Sequence, residues 1–162
     1  MMKKLLLVLI LALAPTSALA ASSMTVAGYG PRVGFSIDPD QLVLGGQAVI
    51  GEVARHLSFD PSLEFGFGDH LTVISFNADL HYHFELQDTD WSPYAGAGVG
   101  IHFIEIDAPL ADDTTTEVGG NLVVGVGVPT RSANRFFTEA RVGLSNDVPG
   151  LKIMAGWLFD SK

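Results

Sequence analysis

The sequence predicts an all-β protein: an eight-stranded antiparallel, up-and-down transmembrane barrel that follows a cleaved signal peptide. Three observations carry that expectation. Turn-forming clusters cut the chain into eight runs of about nine to fourteen residues, long for globular strands but suited to crossing a membrane at a tilt. Within each run apolar residues alternate with glycine or polar residues, the period-two signature of a strand whose two faces differ. The apolar parity carries no charge across these spans; Glu52 and Glu105, which share it, wait until strand ends.

The first twenty residues are set apart from this pattern. Lys3 and Lys4 precede an apolar stretch from Leu5 to Ala14, and Ala18-Leu19-Ala20 offers a small-residue cleavage site. Residues 1–20 therefore read as a secretory signal peptide, too short in its apolar part to span a bilayer, and residues 21–162 as one domain. There is no cysteine, hence no lipid-attachment thiol and no disulfide framework. The formal net charge is −9, and once the leader is removed only Lys152 and Lys162 remain as lysines. That balance argues against nucleic acid as a partner, since phosphate binding needs basic patches. Yet the chain is 48% hydrophobic with a mean hydropathy of +0.33, so its apolar residues must be placed by alternation.

The runs follow in order. Val33, Phe35 and Ile37 mark the apolar face of the first, which ends at a turn over Asp38–Gln41. Leu42, Leu44, Ala48 and Ile50 mark the second, ending in GEVARH from Gly51 to His56. The third carries Leu57, Phe59, Leu63, Phe65 and Phe67 and turns at Gly68-Asp69-His70. The fourth carries Ile74, Phe76, Ala78, Leu80, Tyr82 and Phe84, up to a turn at Leu86–Asp90. Pro93, Ala95, Ala97, Val99, Ile101 and Phe103 form the fifth, before a loop over Asp107–Thr116. The sixth holds Val118, Leu122, Val124, Val126 and Val128 and ends at Pro129–Asn134. Phe136, Ala140, Val142 and Leu144 make the seventh, Ser145–Gly150 the turn, and Leu151, Ile153, Ala155, Trp157 and Phe159 the eighth.

The opposite parity carries Arg32, Gln47, Asp60, Glu64, Asn77, Asp79, His81, His83, His102, Asn121, Glu139, Arg141 and Lys152, interspersed with glycines. Periodicity alone does not say which face points outward. A water-facing exterior would mix many Lys, Glu and Thr, whereas glycine dominates here and suits a cramped eight-stranded lumen. Aromatic residues gather toward strand ends on the apolar parity, as in interfacial girdles. A charge at the lipid midplane would cost about 2–4 kcal/mol, which explains why none stands there. The apolar face is therefore read as facing lipid, and closure as leaving no unpaired backbone edge.

The signal peptide, GPRVGFSI (Gly30–Ile37), WSPYAGAGVGIHF (Trp91–Phe103) and the aromatic close LKIMAGWLF (Leu151–Phe159) resemble the small eight-stranded outer-membrane barrels of the OmpA/OmpX and opacity type. The resemblance spans nearly all of residues 21–162 and is one of pattern, with no invariant motif. It implies residence in the outer membrane, with both termini in the periplasm. It also implies that Phe159, with Trp157 two residues before it, signals the last strand to the barrel assembly machinery. Two departures stand out: Asp160-Ser161-Lys162 follow the aromatic, and Met154 stands where the family usually has glycine.

Candidate sites are few. His81-x-His83 has a spacing that can chelate a metal, but counting through the turns puts His81 opposite Tyr94, His83 opposite Ser92 and His102 opposite Val73, so the three do not converge. The same counting places Arg32 opposite Gln47, Gln47 opposite Asp60 and Asp60 opposite Asp79. Adjacent carboxylates in a confined lumen need a cation or a shared proton. A lumenal charge network of Arg32, Asp60, Glu64, Asp79, Glu139, Arg141 and Lys152 is therefore expected, plugging the barrel. Ser145, His70, His102 and Asp107 are the candidates for a hydrolytic site, with no motif around the serine. GAGVG lies within a strand and is no phosphate loop. The chain is thus expected to be a monomeric, non-enzymatic barrel in envelope integrity, with no cofactor and no metal. Its partners would be the lipid bilayer, periplasmic chaperones and the assembly machinery. A narrow pore for ions or small solutes is the alternative, and a soluble lipocalin-like binder the second.

Overall fold

An eight-run chain of alternating faces can bury one face of every strand by closing on itself, and the computed structural model has that form. It describes residues 25–106, 113–130, 134–145 and 150–161. The expected signal peptide and parts of three expected turns lie outside the described residues. The strands are β1 (Val26–Ile37), β2 (Gln41–Ala54), β3 (Leu57–Gly68), β4 (Leu71–His83), β5 (Ser92–Ile106), β6 (Asp113–Pro129), β7 (Asn134–Gly143) and β8 (Leu151–Asp160). Each pairs antiparallel with its chain neighbours, and β8 returns to β1 with Val33 opposite Ala155 and Phe35 opposite Ile153, closing the barrel. No strand of the barrel keeps a free edge.

Three turns differ from expectation. GEVARH was expected to be a turn throughout, but β2 runs on to Ala54 and leaves only Arg55 and His56. Register shifts between Ile50 and Glu52 and between Glu52 and Ala54 absorb the residues that break alternation, and Gly51 N–H donates to Thr25 O at 2.9 Å. Thr114–Thr116 were expected in a loop but extend β6, pairing with β5 as far as Asp113 opposite Ile106; β-branched threonines favour extended backbone. Between β4 and β5 the connection is wider than expected, covering residues 84–91. Three tight turns, β1–β2, β2–β3 and β3–β4, place a residue other than glycine in the left-handed region: Asp38, His56 and His70 take φ values of 58°, 61° and 58°.

Side-chain direction follows the predicted parity. Phe35, Phe67, Phe76, Val99, Val118, Leu122 and Val124 face outward and are exposed. Three aromatic pairs, Tyr29–Phe159, Tyr82–Phe84 and Phe136–Trp157, lie within 6.2 Å, all toward the end that carries the two chain termini. The inner face differs from expectation in one respect. It is not only polar or glycine: Val43, Val73, Val123, Phe137 and Met154 are buried there too.

Glycine is what lets large side chains into so narrow a lumen. Tyr94 stands opposite Gly125, Phe137 opposite Gly156, and Asp79 opposite Gly98. A Cβ on Gly125 would come within 2.4 Å of the Tyr94 ring, and one on Gly156 within 2.5 Å of the Phe137 ring. A wide inward residue on one strand thus needs a glycine across from it.

Candidate functional site: the lumen and its cavity

Six charged residues of the inner face, Arg32, Glu64, Asp79, Glu139, Arg141 and Lys152, form one connected network. Arg32 donates from Nη1 to Gln47 Oε1 at 2.8 Å and from Nη2 to Glu139 Oε1, while its Nε lies 3.3 Å from Glu64 Oε1. The second oxygen of Glu139 accepts from the Tyr94 hydroxyl at 2.8 Å. Arg141 Nη2 donates to Asp79 Oδ2 at 2.7 Å and lies 3.5 Å from Glu139 Oε1. Lys152 Nζ donates to Glu64 Oε2 at 2.7 Å. Arg32 also sits 5.9 Å from the Phe137 ring centroid, a cation over an aromatic face. Asp60 stands apart from the three cations: its Oδ2 lies 2.5 Å from His81 Nδ1 and accepts from Ser58 Oγ at 2.9 Å.

None of Arg32, Asp60, Glu64, Asp79, Glu139, Arg141 and Lys152 is more than 5% exposed. Charges so withdrawn from water persist only when each meets an opposite charge or a hydrogen-bond donor. Pairing of this kind fixes the side chains inside the barrel.

The register differs from the one counted through the turns. Arg32 stands opposite Gly45, Gln47 opposite Ser62, His81 opposite Gly96, His83 opposite Tyr94, and His102 opposite Ser75; Asp60 does face Asp79. Each error is a slip of two residues, caused by turns shorter or longer than assumed. The Arg32–Gln47 contact survives as a diagonal hydrogen bond. Tyr94, Ser58 and the role of His81 beside Asp60 went unpredicted. For Tyr94 the signal was present, a wide residue on the inward parity with Gly125 in the following run.

Two serine hydroxyls lie within 2.9 Å of an imidazole nitrogen, Ser58 Oγ with His83 Nε2 at 2.9 Å and Ser75 Oγ with His102 Nδ1 at 2.8 Å. His83 Nδ1 meets Ser92 Oγ at 3.2 Å, a hydroxyl where a catalytic relay would place a carboxylate. Of the other hydrolytic candidates, His70 and Ser145 sit beside different hairpin turns, and Asp107 lies outside the described residues. Among the described residues no group of three His, Asp or Glu is placed to hold a metal ion. Trp157 and Phe159 lie on the outer face of β8, with Asp160 closing the strand.

At the end of the barrel that carries the termini, the lumen opens into a cavity of ≈ 680 Å³. Asp60, His81 and Tyr94 line it, and residues of the 84–91 connection and Arg135 contribute to its lining.

No family model and no curated protein matches the chain. Solved structures do. The N-terminal β-barrel domain of Pseudomonas aeruginosa OprF aligns with a TM-score of 0.65 at 15% identity, covering 84% of this chain and 95% of that domain. Neisserial surface protein A (NspA) aligns with a TM-score of 0.62 at 16% identity, covering 83% of this chain and 94% of that one. The fold is that of the small eight-stranded outer-membrane barrels that the sequence resembles.

Proposed function

We propose that the chain is an integral outer-membrane barrel whose lumen is closed by its own charged side chains and whose role is structural, in envelope integrity. The observation that carries this reading is the outer surface. Exposed Phe, Val, Leu and Ile ring the barrel on the outward parity of its strands. In water so large an apolar surface would aggregate, whereas in hydrocarbon it is the required exterior. The three aromatic pairs toward one end match an interfacial girdle, and the ten-residue β7 and β8 are just long enough to cross. The fold likeness to the OprF barrel domain and NspA supports the same placement.

In this reading residues 1–20 are removed on export, residues 21–162 form the monomeric barrel, and the end with the termini and the cavity faces the periplasm. The buried ion-pair layer supports a plugged lumen. Fractionation should recover the protein in the outer membrane, with gel mobility that changes on boiling. A soluble periplasmic protein would refute the reading in favour of a ligand-binding barrel.

The alternative, a narrow ion path, has one observation behind it: the cavity already opens the lumen from one end. Planar-bilayer recording decides between them. Silence is the result for a plugged barrel, and steady conductance altered by Arg32 or Asp79 substitution the result for a pore. A deletion strain challenged with detergents and antibiotics tests the envelope role directly.

A further inference from the structure

Proline is rare in a strand that is paired on both sides, because it has no N–H to give to the ladder. β3 is such a strand, and Pro61 stands inside it. Toward β4 the pairing is continuous, with Pro61 opposite Ala78. Toward β2 the ladder breaks: partners run as far as Gln47 with Ser62 and resume at Ile50 with Phe59, with no change of register. Pro61 is therefore level with Ala48, and Asp60 with Val49, and neither couple is a ladder pair. Such a break is costly in hydrocarbon, where no water replaces the missing bond.

Both faces of this break are hollow. On the outer face Gly46, Ala48 and Pro61 line a groove of ≈ 730 Å³ that Phe65 and Phe76 also line. On the inner face Val49 and Asp60 line the cavity of ≈ 680 Å³, together with Tyr94, Phe137 and Leu158. Gln47 lines both hollows. One thickness of backbone, unpaired at this level, thus separates groove from cavity.

A second break lies between β1 and β8, where Gly30 and Pro31 are level with Leu158 and Trp157. That one is shut. Its backbones approach so closely that a Cβ on Gly30 would overlap the Trp157 carbonyl, whereas one on Gly46, beside the β2–β3 break, meets nothing closer than 3.7 Å.

We propose that an acyl chain of a bilayer lipid lies in the outer groove and passes through the β2–β3 break into the cavity. The surroundings select this occupant. The groove opens onto the face that meets hydrocarbon, and the cavity behind it has aromatic and aliphatic walls and a volume within the usual range of small-molecule sites, about 300–1,000 Å³. Parting β2 from β3 at Pro61 sacrifices no bond from that residue, so entry is easier there than at an intact pair. The inference rests on the membrane reading.

The test uses the full barrel in phosphatidylcholine vesicles, with a fraction of the lipid carrying a diazirine midway along one acyl chain. Illumination attaches the probe to the side chains it touches, and peptide mass spectrometry locates them. Adducts are expected at Phe76 and Val99 on the outer face, and also at Tyr94 and Leu158, which line the inner hollow and are only 8% exposed. Pro61→Ala supplies the missing N–H and should lower the inner adducts about two- to tenfold relative to the outer ones, the worth of one backbone hydrogen bond. Ala48→Trp fills the groove side of the break and should lower them too. Ala97→Trp, an equal bulk at an exposed position on β5, should not. Outer adducts without inner ones, inner adducts unchanged in Pro61→Ala or in Ala48→Trp, or an equal loss in Ala97→Trp would overturn the proposal and leave the membrane reading standing. Absence of outer adducts would overturn the membrane reading and this proposal with it.

Discussion

Asp60 and Asp79 stand directly opposite each other on β3 and β4, and their carboxylates turn to different partners, His81 on one side and Arg141 on the other. Two facing carboxylates in a narrow lumen would otherwise repel, and this division of partners lets both stay buried. The Arg141–Asp79 pair is the clearer of the two to test. Arg141→Met leaves Asp79 without its cation and should cost about 3–5 kcal/mol. Adding Asp79→Asn should restore part of that loss. Urea unfolding of the barrel in lipid vesicles, followed by its heat-modifiable band, measures both.

Glycine spacing gives a second prediction with an internal control. A Cβ at Gly98 would lie 2.0 Å from Asp79 Oδ1 and 2.5 Å from Ala78 O, whereas one at Gly46 meets nothing closer than 3.7 Å. Gly98→Ala should therefore destabilise by about 1–3 kcal/mol through overpacking, and Gly46→Ala should fall within about 0.5 kcal/mol of the parent. The same urea titration compares them.

The turn between β3 and β4 is strained in a simple way. His70 holds φ at 58°, a region where β-branched side chains are poorly tolerated. His70→Val should lower stability by about 1–2 kcal/mol, while His70→Gly should be neutral or slightly stabilising. Equal effects of the two would place the turn in another conformation.

The faces of the strands were legible in the sequence because alternation is local and needs no knowledge of partners. Partners were not, because they depend on turn length. Counting the first turn as Asp38–Gln41 set Arg32 against Gln47, whereas Ser36 already pairs with Gln41 and Arg32 meets Gly45. A slip of two keeps every side chain on its face while changing its neighbour, so lumen membership was readable and the ion pairs were not. Bulges near Glu52 could not be read either, since Ile50, Glu52 and Ala54 share one parity. His81 beside Asp60 was hidden for another reason: the β3–β4 register was counted correctly, but a diagonal contact depends on side-chain direction, which register alone does not give. The inward Phe137 broke the rule of a polar or glycine interior, and its glycine partner Gly156, across the turn in the next run, explains how it fits.

The last strand yields a prediction about biogenesis. Phe159 pairs with Tyr29 across the β1–β8 seam, with ring centroids 6.2 Å apart, and is proposed to mark the strand for assembly. Phe159→Ala should reduce the amount of folded barrel in the outer membrane severalfold while leaving detergent refolding of purified chain within about 1–3 kcal/mol of the parent. A loss confined to refolding stability, with normal insertion, would assign Phe159 to packing alone.

The central claim is that the apolar face meets lipid, and β4 offers the most direct test. Phe76 is 50% exposed on the outer face and its neighbour Asn77 is 4% exposed in the lumen, hydrogen-bonded to Ser62 Oγ at 3.2 Å. The chain has no cysteine, so single cysteines from position 73 to 80 can carry a spin label without background. In reconstituted vesicles, oxygen dissolved in the hydrocarbon should relax labels at 74, 76, 78 and 80 strongly and those at 73, 75, 77 and 79 weakly. Uniform accessibility along the strand, or stronger relaxation at 77 than at 76, would mean that the apolar face packs inward and that no membrane surrounds this barrel.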